Sequence, residues 1–194
     1  MKKELIKLFK KNKGFLSAKQ MQGTSFRYHL NKLIATKEVT KIRYGLYVLN
    51  SFPKYDEREI VATLIPNGVF CMQSAWSYHE LTTTIPYQYH IAIPRKLKLS
   101  LPEYPPIKLY YWSNKLQETD TIQVSVNSNE LSYYNLERSV CNAVKFRNKI
   151  GEDILLEVLK NYTKRKDKNI DQLMLIAKKL RIEKVISPYL KILL

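Results

Sequence analysis

The first 50 residues combine helical periodicity with a short hairpin pattern, and this combination limits the folds open to the chain. Within residues 2–11 the apolar side chains recur at the spacing of one helix face, and residues 24–35 repeat that spacing. Residues 39–42 and 46–49 form two β-rich runs on either side of Gly45, which is typical of a hairpin. The segment is therefore predicted to fold as helices followed by two antiparallel strands.

A further short helix is predicted between the two longer ones. Ser17 is a good N-cap for a helix over residues 18–22, and Gly23 should end it. Thr24 or Ser25 can then cap the next helix. Three helices followed by a basic hairpin, or wing, predict a winged helix-turn-helix domain over residues 1–50. The side chains expected to pack together in its core are Leu5, Leu8, Phe9, Phe26, Leu30, Leu33 and Ile34.

Positive charge is concentrated in the same segment. Residues 1–50 contain 12 Lys/Arg against 2 Asp/Glu, residues 51–160 contain 12 against 12, and residues 161–194 contain 9 against 3. These segments therefore carry formal charges of +10, 0 and +6, which account for the +16 of the whole chain. Charge gathered on a small helical module indicates that its partner is a phosphate backbone.

The polar side chains of the third helix suit a DNA-reading face. Arginine can bind guanine and asparagine can bind adenine through paired hydrogen bonds, whereas tyrosine and lysine often reach phosphates. The alternatives are a polar helix face without a partner, or a helix-turn-helix that binds protein. The DNA-contacting residues predicted in this module are Ser25, Arg27, Tyr28, Asn31 and Lys32 on the helix, with Lys41, Arg43 and Tyr44 on the wing.

After a short linker at residues 51–54, residues 55–194 are predicted to form a second, mixed α/β domain. Short β-rich runs alternate with helical ones, among them a helix over residues 75–81 that Ser74 caps. From Asn135, which can also cap, the pattern is helical to the end. Mixed strands followed by a run of helices indicate an α+β fold.

Basic residues in the second domain admit two interpretations. Arg138 could contact a phosphate or a partner protein, but a salt bridge that anchors a helix start to the sheet is favoured. The basic run at residues 164–168 is either a solvated interhelical loop or a nucleic-acid contact. A possible functional surface is predicted at Arg138, Lys178, Lys179, Arg181 and Lys184, the last four spaced to lie largely on one helical side.

No catalytic or metal-binding pattern is present in the sequence. The three histidines, His29, His79 and His90, lack metal-ligand spacing, and Ser74 and His79 are not spaced to face each other on a helix. Cys71 and Cys141 are expected to be buried thiols. Neither a secretory signal nor an apolar run of about 18 residues is found, so we expect a cytoplasmic protein without a membrane partner. Since catalytic and metal-ligand patterns are also lacking, we expect no enzymatic activity, cofactor or metal.

Three stretches of the sequence carry a pattern known from another group of proteins. One is Gly68-Val69-Phe70 with Ser74-Ala75, Tyr78-His79-Glu80-Leu81 and His90-Ile91-Ala92-Ile93-Pro94. Another is Glu137-Arg138-Ser139-Val140-Cys141-Asn142, and the last is Leu180-Arg181-Ile182-Glu183-Lys184-Val185 with Pro188-Tyr189-Leu190. Together they resemble the AbiEi antitoxins of bacterial abortive-infection (phage-defence) systems. The second stretch is similar to that family's Pro-Glu-Arg-Thr-Leu-Cys-Asp signature, with asparagine at 135 and 142 where members often have proline and aspartate.

The resemblance implies a type IV antitoxin that is also a transcriptional repressor. Its winged helix would bind inverted repeats in its own promoter. Its C-terminal domain would neutralise a nucleotidyltransferase-like toxin, with or without direct contact. Two alternatives stay open: a stand-alone winged-helix regulator whose second domain senses a ligand or dimerises, and a nucleic-acid-processing enzyme.

Overall fold

The chain forms two compact units, one of residues 1–57 with 102–104 and one of residues 58–101 with 105–194. The structure, a computed structural model, describes residues 2–12, 14–21, 24–43, 45–51, 56–101, 104–127 and 129–193. Most of the linker predicted at residues 51–54 lies outside the described residues. None of the described helices is long and apolar enough to cross a membrane.

The first unit packs two α-helices on a three-stranded antiparallel sheet. Its sheet has the order β1-β3-β2, so the strand that is last in sequence lies in the middle. Ser17 of β1 lies opposite Leu46 of β3, and Val39 of β2 lies opposite Leu49. The elements are α1 Lys2–Lys11, β1 Phe15–Ser17, a 3-10 turn Ala18–Gln20, α2 Thr24–Ala35, β2 Val39–Arg43 and β3 Leu46–Leu49.

The core of the first unit confirms the apolar faces predicted for α1 and α2. Leu5 and Phe9 of α1 are fully buried, and Leu30 and Leu33 of α2 are almost so. The predicted side chains of Leu8, Phe26 and Ile34 pack against this cluster while partly exposed. Burial of these positions leaves the opposite face of each helix to solvent, as the helical periodicity indicated.

The prediction of a short second helix over residues 18–22 was wrong in length, and the strand before it was not predicted. Ala18–Gln20 makes a single 3-10 turn, with the Met21 amide donating to the Ala18 carbonyl at 3.2 Å, while Gln22 and Gly23 lie outside the described residues. Ser17 is the N-cap of this turn, as predicted, and its amide donates to the Gln20 carboxamide oxygen at 2.8 Å. Because β1 is only three residues long and pairs with a strand far along the chain, local periodicity does not reveal it.

The second unit is built on a five-stranded mixed sheet of order β6-β5-β4-β8-β7. The central strand, β4, is antiparallel to β5 and parallel to β8, and each of these pairs outward with an edge strand. The elements are α3 Glu57–Leu64, β4 Val69–Phe70, α4 Met72–Tyr78, β5 Tyr89–Pro94, β6 Ile107–Trp112, α5 Asn114–Gln117, β7 Thr121–Val126 and β8 Asn129–Tyr134, then α6 Leu136–Lys145, α7 Arg147–Ile150, α8 Glu152–Thr163, α9 Ile170–Lys179 and α10 Glu183–Leu193.

Helix α6 is the centre of the helical part of this unit. All its residues from Leu136 to Val144 are buried, and it contacts α4, α8, α9 and α10. Its start is capped as predicted, because the Asn135 side chain accepts from the Arg138 amide at 2.8 Å. The two sheets and these helices confirm the α+β class.

Ser74 does not cap the helix predicted over residues 75–81. Helix α4 begins at Met72 and ends at Tyr78, with Cys71 at the N-cap. Ser74 therefore lies inside the helix, where its buried hydroxyl accepts from the His90 amide of β5 at 2.9 Å. This hydrogen bond connects α4 to the sheet. From the sequence alone, a serine that bonds a neighbouring strand cannot be distinguished from one that caps a helix.

Candidate nucleic-acid interface

The outward face of α2 carries the polar residues that the sequence assigned to DNA reading. Arg27, Tyr28, Asn31 and Lys32 are all exposed, and Tyr28 is 67% exposed despite its large ring. Arg27 and Asn31 are four residues apart, as are Tyr28 and Lys32, so each pair lies one above the other on the helix surface. The four side chains form one continuous patch, which we call the α2 face.

The α2 face offers donors that are not occupied by the described part of the protein. The side chains of Arg27, Asn31 and Lys32 are exposed and have no hydrogen bond or ion pair with other described residues. The Tyr28 ring contacts His29 edge-on, with 5.3 Å between ring centroids. Guanidinium, amide and ammonium groups in this arrangement can bind base edges and phosphates.

The end of α2 is fixed to the first helix and to the strand that follows. The Glu38 amide donates to the Leu33 carbonyl at 2.9 Å. Its carboxylate accepts from Lys2 at 2.9 Å and from the Thr36 hydroxyl at 2.8 Å, and these bonds lower the pKa of Glu38. Since Lys2 lies on α1, the contact ties the two helices of the unit together.

The predicted wing is the β2–β3 hairpin. Lys41 is exposed on β2, and the strand register shifts between Lys41 and Arg43, as in a β-bulge. Gly45 adopts a φ of +77°, and its carbonyl accepts from the Ala18 amide at 2.7 Å, so a side chain here would be strained. The side chain of Arg43 and the whole of Tyr44 lie outside the described residues. Ser25 is exposed in the first turn of α2.

Further lysines of the first unit are exposed on α1, apart from its buried face. Lys3, Lys7, Lys10 and Lys11 are exposed. These lysines add to the exposed positive charge of the first unit.

Arg138 does not lie on a surface, contrary to its inclusion in the predicted C-terminal patch. It is fully buried, between the rings of Trp112 and Tyr134, whose centroids are 4.9 and 4.6 Å from its guanidinium carbon. Its guanidinium donates to the Leu116 carbonyl at 3.0 Å and lies 3.4 Å from the Asp120 carboxylate. Burial on this scale places Arg138 in a structural role that joins α6 to the sheet.

The neighbouring Glu137 has a similar role on the other side of α6. Its carboxylate is buried and accepts from the Asn169 amide at 3.1 Å and from the Tyr162 hydroxyl at 3.4 Å. The Glu137-Arg138 pair of the resemblance motif therefore joins α6 to α8, to the start of α9 and to the sheet.

The other four residues of the predicted C-terminal patch are exposed, but they do not share one helix face. Lys178 and Lys179 end α9, Arg181 occupies the turn with a φ of +58°, and Lys184 begins α10. Lys179 is also paired with Asp120 at 3.0 Å. The turn at Arg181 lies between two apolar stripes of the sequence, one that ends at Leu180 and one that begins at Val185.

The basic run at residues 164–168 is an interhelical loop that is partly anchored to the fold. Arg165 donates to the His79 carbonyl at 2.9 Å and pairs with Asp167 at 2.8 Å. Lys164 and Lys166 are exposed. Only these two lysines of the loop are presented to solvent without a described bond.

The side chains considered for catalysis have structural partners. The His79 Nε2 atom bonds the Tyr134 carbonyl at 2.8 Å, and burial lowers the pKa of His79. Cys71 and Cys141 are buried free thiols, as predicted, and burial raises the pKa of both. Within the described ranges, no three His, Cys, Asp or Glu residues are grouped so that they could hold a metal ion.

A cavity in the second unit was not predicted. It has a volume of about 510 Å³ and is lined by residues of α4, β5, β6, α7 and α8. His90 and Tyr110 lie in its wall, with the hydroxyl of Tyr110 3.1 Å from His90 Nδ1. Because its lining comes from five separate elements, only the aromatic content of residues 108–112 could have suggested it.

The models of known protein families do not match this chain, and no curated protein is significantly similar to it.

Proposed function

We propose that the chain is a DNA-binding transcriptional autorepressor and the antitoxin of a bacterial abortive-infection pair. The observation that carries the DNA-binding half is the α2 face, where four side chains suited to nucleic acid are exposed together. The rigid attachment of α2 through Leu30 and Leu33 means that the face would be presented in a fixed orientation.

The first unit is proposed to be a winged helix-turn-helix. The order helix, strand, turn, helix and hairpin supports this assignment, as does the sheet order β1-β3-β2. In the proposed complex α2 enters the major groove, where Arg27 and Asn31 contact base edges and Tyr28 and Lys32 contact the backbone or bases. Ser25 at the helix start and Lys41, Arg43 and Tyr44 of the hairpin would hold the adjacent backbone or groove.

Charge distribution supports the same proposal. Residues 1–50 carry a net charge of +10, whereas residues 51–160 are neutral overall. A basic module of this kind attracts DNA from solution, and its binding weakens as salt rises because counterions are released.

The antitoxin half rests on the resemblance to AbiEi proteins. Residues 55–194 would neutralise a nucleotidyltransferase-like toxin, and the exposed Lys178, Lys179, Arg181 and Lys184 are candidates for that role. The proposal treats the chain as a cytoplasmic binding protein rather than an enzyme. In support, Ser74 and His79, the pair nearest to a nucleophile and base, are each bonded to main-chain groups.

The first experiment measures binding of the full-length protein to its own upstream DNA, beside a scrambled duplex of equal length, across a salt series. We expect tight binding to the upstream duplex that weakens steeply with salt, and at least about a hundredfold weaker binding to the scrambled one. Equal binding to both duplexes would refute the autorepressor proposal.

A separate experiment tests the antitoxin half. The chain is expressed together with a nucleotidyltransferase-like toxin encoded beside it, and survival of the bacteria is scored. We expect rescue by the native protein and by an Arg27→Ala/Asn31→Ala variant, because the α2 face is not proposed to act on the toxin. Failure of the native protein to rescue would refute the antitoxin proposal without affecting the DNA-binding result.

A further inference from the structure

The cavity of the second unit has the size and lining of a small-molecule site. Its volume of about 510 Å³ lies within the roughly 300–1,000 Å³ typical of ligand pockets. Several aromatic rings line it, among them Trp76, Tyr110 and Phe146. Such walls pack well against a flat ring system.

The rings of the aromatic wall are held in place by contacts with one another. The rings of His90 and Tyr110 stack at 5.4 Å between centroids, and the Phe146 ring meets that of Tyr110 edge-on at 5.8 Å. The Tyr110–His90 hydrogen bond fixes both side chains further. A preorganised wall loses little conformational freedom when a ligand binds, which favours affinity.

The charged groups of the lining are of one sign. Lys108 on β6 and Lys149 on α7 line the cavity, and none of the described lining residues is acidic. The two ammonium groups lie beside the aromatic wall, 5.9 Å from the Tyr110 ring centroid for Lys108 and 5.8 Å from that of Phe146 for Lys149. A ligand lying against these rings would therefore have two cations within reach, and a negative group on it would be attracted.

His90 adds a polar group to the same wall. It is buried, and its Nε2 atom has no hydrogen-bond partner among the described residues. Buried polar atoms without partners are uncommon in folded proteins. Gln73 and Gln88 also line the cavity, so that amide donors and acceptors accompany the rings and the lysines.

We propose that this cavity binds a small molecule that carries both an aromatic ring system and a negative group, such as a mononucleotide or an aromatic carboxylate. Tyr110 and Phe146 pack against the ring, and Lys108 and Lys149 bind the anion. The site lies wholly within the second unit, so this assignment does not rest on the proposed DNA binding.

Calorimetric titration of the full-length protein tests the proposal. The probes are the four ribonucleoside monophosphates and indole-3-carboxylate, with adenosine as the ring without a charge and ribose 5-phosphate as the charge without a purine or pyrimidine. We expect at least one probe to bind at least about tenfold more tightly than both controls. Binding of the monophosphates identifies a nucleotide site, and binding of indole-3-carboxylate alone identifies a site for aromatic carboxylates. No binding by any probe at about 1 mM, or equal binding of ribose 5-phosphate, would overturn the proposal.

Two variants locate the site. Lys108→Gln/Lys149→Gln should weaken binding about tenfold or more, whereas Lys160→Gln/Lys166→Gln removes the same charge from exposed positions outside the cavity and should leave affinity unchanged. Ile154→Trp should fill the cavity and abolish binding. Equal weakening by both lysine pairs would mean that only net charge matters and would refute the site. The lysine pairs are surface changes, so the test holds even if the tryptophan variant does not fold.

Discussion

Arg138 and Asp120 form an ion pair in the interior of the second unit, with 3.4 Å between Nη1 and Oδ2. The Asp120 carboxylate also accepts from Lys179 at 3.0 Å, and its main-chain carbonyl accepts from the Asn135 amide at 2.9 Å. One aspartate therefore joins the starts of β7 and α6 to the end of α9. Removal of its charge would leave a buried guanidinium without a counter-ion.

We expect Asp120→Asn to lower the free energy of unfolding by about 3 kcal/mol. This value is near the lower end of the losses seen when a buried ion pair is broken, because the asparagine amide oxygen can still accept a hydrogen bond. Asparagine also tolerates the φ of +61° at this position. Lys179→Ala is the control, since its side chain is half exposed and should cost about 0–1 kcal/mol. Urea unfolding measures both, and equal losses would contradict the central role of the Arg138 pair.

Arg27→Ala tests whether the α2 face reads bases. If Arg27 binds a guanine, the variant should lose about 1–3 kcal/mol of binding free energy on the operator and discriminate less at one base pair. Quantitative binding to a set of single-base operator variants measures both effects. A loss that is uniform over all sequences would instead assign Arg27 to a phosphate.

Lys41→Ala tests the wing. The variant should weaken binding to all sequences by a similar factor and reduce the slope of log K against log salt by about one unit, because one phosphate contact is lost. Lys160→Ala, an exposed lysine of the second unit, is the matched control and should leave the slope unchanged. If Lys41→Ala also left the slope unchanged, the hairpin would not contact DNA.

His90 should make the stability of the protein depend on pH in mildly acidic solution. Burial, with Lys108 nearby, lowers the pKa of His90 from 6.5 to about 4 in the folded protein. Between these values the unfolded chain binds a proton that the folded chain does not. Stability is therefore fully present above pH 6.5 and falls as the pH decreases toward 4.

The comparison of native protein with His90→Gln isolates this effect. The variant lacks the titrating imidazole, so its free energy of unfolding should decrease less between pH 6.5 and 4 than that of the native protein. Urea unfolding at several pH values gives the two curves, and parallel curves would assign the pH dependence to other groups, such as His79, whose pKa is lowered in the same direction.

The two cysteines should be unreactive until the protein unfolds. Cys71 and Cys141 are buried, and burial raises the pKa of both thiols, so little thiolate forms near neutral pH. When an aromatic disulfide reagent is added, native protein should therefore release almost none of its coloured thiolate. In denaturant the same protein should release about two equivalents per chain. If the reagent reacted rapidly with either thiol in the native protein, the structure around that cysteine would have to open locally.

Helical periodicity predicted much of the fold. Helices α1 and α2 follow from their apolar spacing together with the glycine and capping residues between them, and the hairpin follows from Gly45 between two β-rich runs. Strand β1 does not, because its three residues gain their stability from pairing with β3, about thirty residues later, and distant pairing leaves no local periodicity.

The candidate interface and the cavity differ in how far the sequence reveals them. The α2 face is visible in advance because Arg27, Tyr28, Asn31 and Lys32 share one side of a single helix. The environment of Arg138 is not, since Trp112, Leu116 and Asp120 reach it from other elements. The cavity beside His90 and Tyr110 depends on the same kind of long-range assembly.

The separation of α2 into a packed side and an open side has an evolutionary consequence. Leu30 and Leu33 hold the helix in place, whereas Arg27, Asn31 and Lys32 are exposed on its other side. Exchanges at exposed positions of this kind cost little in folding, usually within about 0.5 kcal/mol. Descendants of this gene can therefore change what the helix contacts while inheriting an unaltered scaffold.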